Sequence, residues 1–279
     1  MNFQKYQGLG NDFIIVNCLK EGGEGKERLT TEDIARFCHR KYGIGADGII
    51  LLERSEGADY RMRLYNSDGS EAEISGNGLR CLALYINDNG IDGRKGLLIE
   101  TGGGYTRTEL AGGNRVRVWM PRPIYERERI PMIGEGECVD SELDFGEGGK
   151  FKVTALAVGN PHCVIFGAFT KREVQELGPV IEKSSYFPQR VNVDFVKVMS
   201  PDRIKAEFFE RGVGITEACG SGACASVIAG IKTGRLKFDL PVTVEMAGGE
   251  LIVTVKKGYS EIILEGEAER VFEGAVFVP

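Results

Sequence analysis

The hydrophobic pattern changes period several times along the chain. Residues 61–66 (Arg-Met-Arg-Leu-Tyr-Asn) and 204–210 alternate apolar and polar side chains, the period of a half-buried strand. Leu79, Leu82, Ala83 and Ile86 follow helical spacing up to Gly90, and Val227, Ile228 and Ile231 form a second stripe running to Gly234. A further helix is predicted around residues 31–41, with Thr30 as its cap and Ile34, Phe37 and Cys38 on one face; His39 falls off that face and reads as surface. Glycine is abundant, at 39 residues, and proline is scarce, at 9, which describes tight turns between strands and suggests a β-rich chain.

The pattern also repeats. Three features of the first half recur in the same order about 144 to 149 residues later. Gly10-Asn11, opening an apolar strand, returns as Gly159-Asn160. The alternating strand ending at Asn66, followed by a polar loop and Ser75-Gly76-Asn77-Gly78, returns as the strand ending at Glu210, followed by Cys219-Gly220-Ser221-Gly222. The glycine-rich hairpin at 100–103 returns at 245–249, each time before another alternating strand. Ser75 and Cys219 therefore occupy equivalent positions, each between a strand and a helix. Two halves of one design follow, with borders at residues 1–118 plus 265–279 and 119–264.

Apolar residues at 42% and charged residues at 27% belong to a folded protein with a substantial core. The net charge of −6, with no basic stripe, argues against a nucleic-acid surface. Charge runs such as residues 20–27 mix both signs and read as solvated loop. No segment approaches eighteen consecutive apolar residues and no basic stretch precedes an apolar core at the N-terminus, so no membrane span is expected and the cytoplasm is the expected location. Seven cysteines without CxxC pairing and only two histidines, His39 and His162, point to neither a disulfide framework nor a metal site. Neither glycine motif continues as a phosphate loop or sits in a dinucleotide-binding unit.

The repeat suggests a ligand gripped at two helix starts. Unbonded N–H groups there suit a carboxylate. The same partial positive charge favours a thiolate, so Cys219 is expected to act as a base near neutral pH. Epimerisation at an amino-acid Cα needs one group to remove a proton and another to return one on the opposite face.

The motifs Gly8-Leu9-Gly10-Asn11-Asp12-Phe13, Gly43-Ile44-Gly45-Ala46-Asp47-Gly48, Asn66-Ser67-Asp68-Gly69-Ser70-Glu71, Gly159-Asn160-Pro161-His162, Glu210-Arg211-Gly212 and Ala218-Cys219-Gly220-Ser221-Gly222-Ala223-Cys224 together resemble the diaminopimelate epimerase family along essentially the whole chain. The resemblance implies an α+β fold of two pseudo-symmetric domains, each a curved, mostly antiparallel sheet around a central helix, with the final strand returning to the first domain. It implies interconversion of LL- and meso-diaminopimelate, a step of lysine and peptidoglycan synthesis, in a cleft between the halves, by two cysteines and without pyridoxal phosphate or another cofactor. It also implies a homodimer with a small amino-acid substrate. Residue by residue, Cys219 matches one acid/base cysteine and Ser75 stands at the other. Gly76 with Asn77, and Gly220 with Ser221, match the groups that hold the reacting carboxylate. Asn11, Asn66, Asn160, Asn192 and Arg211 match those holding the rest of the substrate, and His162 and Glu210 match residues that tune the acid/base pair. Gly48 stands where some members carry a glutamine that touches substrate.

Ser75 departs from this pattern, because a hydroxyl is a far weaker acid than a thiol. Cys81, deeper in the same helix, faces packing and does not replace it. The serine leaves open an engineered Cys→Ser change, a natural variant acting on another amino acid, and a catalytically silent, amino-acid-binding paralogue.

Overall fold

The computed structural model describes residues 1–19 and 29–277, so the charged run at 20–27 lies outside the described residues. The chain divides into two compact units, Met1–Trp119 with Glu265–Pro279, and Met120–Leu264. The architecture is α+β.

The first unit begins with a hairpin, Asn2–Gly8 and Asn11–Asn17, turning at Gly10, whose φ of 86° suits glycine. Asn11–Asn17 pairs in parallel with Gly48–Glu53, which pairs antiparallel with Tyr60–Asn66, which in turn runs parallel to Gly96–Thr101. Gly96–Thr101 closes a hairpin with Gly104–Gly112. Parallel neighbours need a crossover. The first carries α1 (Thr31–Cys38) and the second α2 (Gly76–Asp88). The strand Glu269–Ala275 returns to pair antiparallel with Asn2–Gly8.

The second unit repeats this ladder. Lys150–Val158 and Asn160–Phe166 form a hairpin turning at Gly159, φ 81°. Asn160–Phe166 runs parallel to Asn192–Ser200, then Arg203–Glu210 is antiparallel, Pro241–Met246 parallel, and Gly249–Val255 antiparallel. Its crossovers carry α3 (Lys171–Glu182) and α4 (Gly220–Lys232). The sequence reading did not single out α3. Its signature is a capping box at Thr170 and Glu173, ahead of the buried Val174 and Ile181.

The helices α2 and α4 are each thirteen residues long and are buried almost all round, as befits a helix wrapped by sheet. The helix predicted at 31–41 is shorter than expected and ends at Cys38. There the side chain of His39 takes over the chain's donors: its Nδ1 accepts from the Lys41 and Tyr42 N–H groups, both at 3.1 Å, and its carbonyl accepts from Gly43. His39 is exposed. Among the described residues no helix is long and apolar enough to cross a membrane.

Candidate functional site

Ser75 and Cys219 cap α2 and α4 with nearly the same backbone, φ −141° and ψ 120° against φ −132° and ψ 111°. Ser75 Oγ accepts from the Gly78 N–H at 3.1 Å, and Cys219 Sγ from the Gly222 N–H at 3.4 Å. The next bond of each helix goes to the cap carbonyl, Leu79 to Ser75 and Ala223 to Cys219. Helical geometry then leaves the N–H groups of Gly76 and Asn77, and of Gly220 and Ser221, as the first-turn donors without an intrahelical acceptor. These are the four residues read from the sequence as carboxylate holders.

In the first unit Asn77 is buried and donates to Asn11 Oδ1 at 3.1 Å, while Asn11 donates to Asp47 at 2.9 Å. Behind Asn11 lies a charged cluster that the sequence reading missed. Asp12 receives both prongs of Arg40 at 2.9 Å and sits 2.7 Å from Lys5, and Arg40 also reaches Asp47 at 2.7 Å. Burial raises the Asp12 carboxyl, but the hydrogen bonds from Arg40 and Lys5 outweigh it and hold it at about 2. Asn66 is exposed and donates to Ser70 Oγ at 3.0 Å. Gly48 pairs with Asn66 across the ladder, and a Cβ there would lie 2.4 Å from the Tyr65 carbonyl oxygen, so this backbone admits no side chain at that position without moving. Cys81 is fully buried, and its thiol is pushed up to about 12 by burial.

The second unit gathers more of the predicted residues. His162 is completely buried on the strand Asn160–Phe166. Its Nε2 lies 2.9 Å from Asn160 Oδ1 and 3.1 Å from Ser221 Oγ, and its Nδ1 2.9 Å from Asp194 Oδ2. Ser221 Oγ is in turn 3.5 Å from Cys219 Sγ. Asn192 is also buried; it donates to the Pro161 carbonyl at 2.8 Å and accepts from the Arg211 N–H at 2.9 Å, so it ties two strand ends together. The next amide, that of Gly212, donates to Glu182 Oε1 at 2.8 Å from the end of α3. Arg211 is exposed, with its guanidinium 3.4 Å from the Gln189 carbonyl rather than among the buried polar groups.

Asp194 and Glu182 were missed in the sequence. Asp194 alternates with Asn192 on a strand whose other early residues are apolar, and that polar pair two residues apart was the available signal. Glu182 carried none.

In the free protein burial, then the charges of Glu210 and Asp194, push the Cys219 thiol well above the ordinary value, although the Ser221 and Gly222 hydrogen bonds pull the other way. Two donors at a helix start do not outweigh a dry site with two carboxylates nearby. Among the described residues, no group of three His, Cys, Asp or Glu side chains is arranged to hold a metal ion.

The fold is shared with solved racemases and related proteins. A probable proline racemase from Agrobacterium radiobacter superposes with a TM-score of 0.73 at 15% identity, covering 100% of this chain and 93% of that one. A phenazine biosynthesis protein from Bacillus anthracis gives 0.70 at 17%, covering 100% and 99%. The profile of the diaminopimelate epimerase family matches residues 3–125 and 154–271. The diaminopimelate epimerase of Carboxydothermus hydrogenoformans is 44% identical over 100% of both chains, and that of Desulforudis audaxviator 45% identical over 98% of each. The chain belongs to the diaminopimelate epimerase family.

Proposed function

We propose that this protein interconverts LL- and meso-diaminopimelate by proton transfer at Cα, without a cofactor, as a cytoplasmic homodimer serving lysine and peptidoglycan synthesis. The observation that carries the reading is the pair of equivalent helix starts capped by Ser75 and Cys219; the substrate is taken from the name of relatives 44% and 45% identical across nearly their full length. The N–H groups of Gly76, Asn77, Gly220 and Ser221 bind the reacting carboxylate and stabilise the charge that builds on it as the Cα proton leaves. Arg211, exposed and forked, suits the distal carboxylate. Asn11, Asn66 and Asn160 hold the remaining polar groups of the substrate, and Asn192 sets the Arg211 turn. His162 and Glu210 tune the acid/base pair.

Epimerisation needs one partner deprotonated. A serine hydroxyl is a far poorer base than a thiolate, so Cys219 removes the proton and Ser75 marks the face from which one is returned. The two-thiol reaction is therefore slowed in this sequence and regained in Ser75→Cys. The test is α-proton loss from LL-diaminopimelate in deuterated water, followed by NMR, for the chain as given and for Ser75→Cys. Faster exchange in the cysteine form supports the reading; equal rates would overturn the role given to position 75. Ser75 specifically favours a second reading, a non-catalytic amino-acid-binding protein. Binding without exchange, unchanged in Ser75→Cys, selects it.

A further inference from the structure

The turn that carries Arg211 is held at every amide. Arg203–Glu210 and Gly214–Thr216 are joined by Arg211, Gly212 and Val213, and the Val213 N–H closes the turn on the Glu210 carbonyl at 3.0 Å. The two amides before it are taken by buried side chains: the Arg211 N–H by Asn192 Oδ1 at 2.9 Å and the Gly212 N–H by Glu182 Oε1 at 2.8 Å. Apolar packing does not hold this turn, since Val213 is 74% exposed. The Arg211 head group is anchored only by the 3.4 Å contact with the Gln189 carbonyl and is open to a ligand.

Glu182 stands where a carboxylate is least expected. It is the last residue of α3, at the negative end of the helix dipole, and is only 3% exposed. Its compensation is the Gly212 amide and Arg190, whose Nη1 lies 3.6 Å from the same oxygen. Arg190 meets it from a left-handed backbone, φ 61°, which is strained for a residue with a Cβ. An aliphatic side chain would fill this place without either burden, but it could not hold the amide. Gly178 makes the reach possible. A Cβ on it would lie 2.5 Å from Phe209 Cγ, so α3 lies directly on that ring, and Glu182, one helical turn further along the same face, meets the residues just past Glu210.

We propose that Glu182 is a positioning residue that sets the specificity of this protein for a second carboxylate on its amino-acid substrate. With both amides fixed, the Arg211 backbone is fixed, and only its side chain has to be ordered when the forked guanidinium takes a carboxylate. Released at Gly212, the turn itself would have to be ordered on binding, and with glycine at 212 and 214, both at positive φ, it has much freedom to lose. Glu210 remains paired with Gly214 in the ladder, so the effect falls on affinity for the distal end of the substrate and not on proton transfer. The proposal rests on the reading of Arg211 as the group that meets the distal carboxylate.

The test measures the binding of two ligands to the full chain by calorimetry: LL-diaminopimelate, and lysine, which has the same chain without the distal carboxylate. Glu182→Ala should weaken diaminopimelate binding about tenfold, the weight of one hydrogen bond to a charged group, and leave lysine binding unchanged. Glu182→Gln keeps the acceptor and should restore the affinity. Equal loss for both ligands would mean a merely structural role and would overturn the proposal, as would undiminished diaminopimelate binding in Glu182→Ala. If that variant does not fold, Arg190→Gly, which suits the left-handed φ and removes the facing cation, should show the same selective loss, and its absence overturns the proposal. Arg211→Ala separates the two readings: if it leaves diaminopimelate binding intact, Arg211 does not meet the distal carboxylate and the proposal falls with it. If the parent binds no diaminopimelate, the substrate reading fails by itself, and ¹⁵N relaxation at Arg211 Nε in the free protein decides the positioning role. Greater mobility in Glu182→Ala but not in Glu182→Gln supports it, and equal mobility overturns it.

Discussion

Glycine at the third position of α4 is required by packing, whereas its counterpart in α2 is not, and this asymmetry can be measured. An added Cβ at Gly222 would lie 2.6 Å from Phe208 Cε1, 2.8 Å from Cδ1 and 3.2 Å from Asp194 Oδ1. Carbon atoms in contact sit about 3.5–4.0 Å apart, so roughly 1 Å of overlap must be relieved by moving a buried ring or the helix start. Overpacking of this kind costs about 1–3 kcal/mol, against a helix-propensity gain of about 1 kcal/mol for Gly→Ala, which leaves a net loss of about 0–2 kcal/mol for Gly222→Ala. At Gly78 the nearest atoms are Ile50 Cδ1 at 3.2 Å and Ser75 Cβ at 3.3 Å, and the isoleucine tip can rotate. Gly78→Ala should therefore be neutral or slightly stabilising. Urea unfolding of both variants, with midpoint and slope compared, reads the difference. A Gly222→Ala protein as stable as Gly78→Ala would refute the packing argument and mean that Phe208 yields freely.

Three further outcomes are expected. Asp12 is held at about 2 against its ordinary 3.8, so its contribution of about 2 kcal/mol is present above pH 4 and is lost as pH falls toward 2; the stability gap between the parent and Asp12→Asn should close over that interval, and a constant gap down to pH 2 contradicts it. Glu182→Ala frees the Gly212 amide, so hydrogen exchange at Gly212 should accelerate, while Glu182→Gln keeps an acceptor and should not; equal exchange in both would show that the carboxylate does not fix this turn. Cys81, fully buried with its thiol pushed up to about 12, should resist iodoacetamide in the folded protein at pH 8, and mass spectrometry finding it alkylated while the fold is intact would count against that burial.

The sequence by itself determined what repeats and local rules encode. Gly10 and Gly159, Ser75 and Cys219, and the paired hairpins fixed two copies of one strand-and-helix design, because turn chemistry and hydrophobic period are properties of neighbouring residues. Capping by Ser75 and Cys219 was legible for the same reason. The tertiary structure alone decided what distant residues do to one another. Two local signals went unread, the His39 ring that accepts from the Lys41 and Tyr42 amides just past the end of α1 at Cys38, and the Thr170–Glu173 capping box of α3. Asp194 reaches His162 only because two strands 32 residues apart lie in parallel register. The same register brings Asp194 to bear on the Cys219 thiol. A helix start favours a thiolate, yet burial and two carboxylates from neighbouring strands reverse that preference, and electrostatics of this kind depends on distances and desolvation that no local pattern of residues contains.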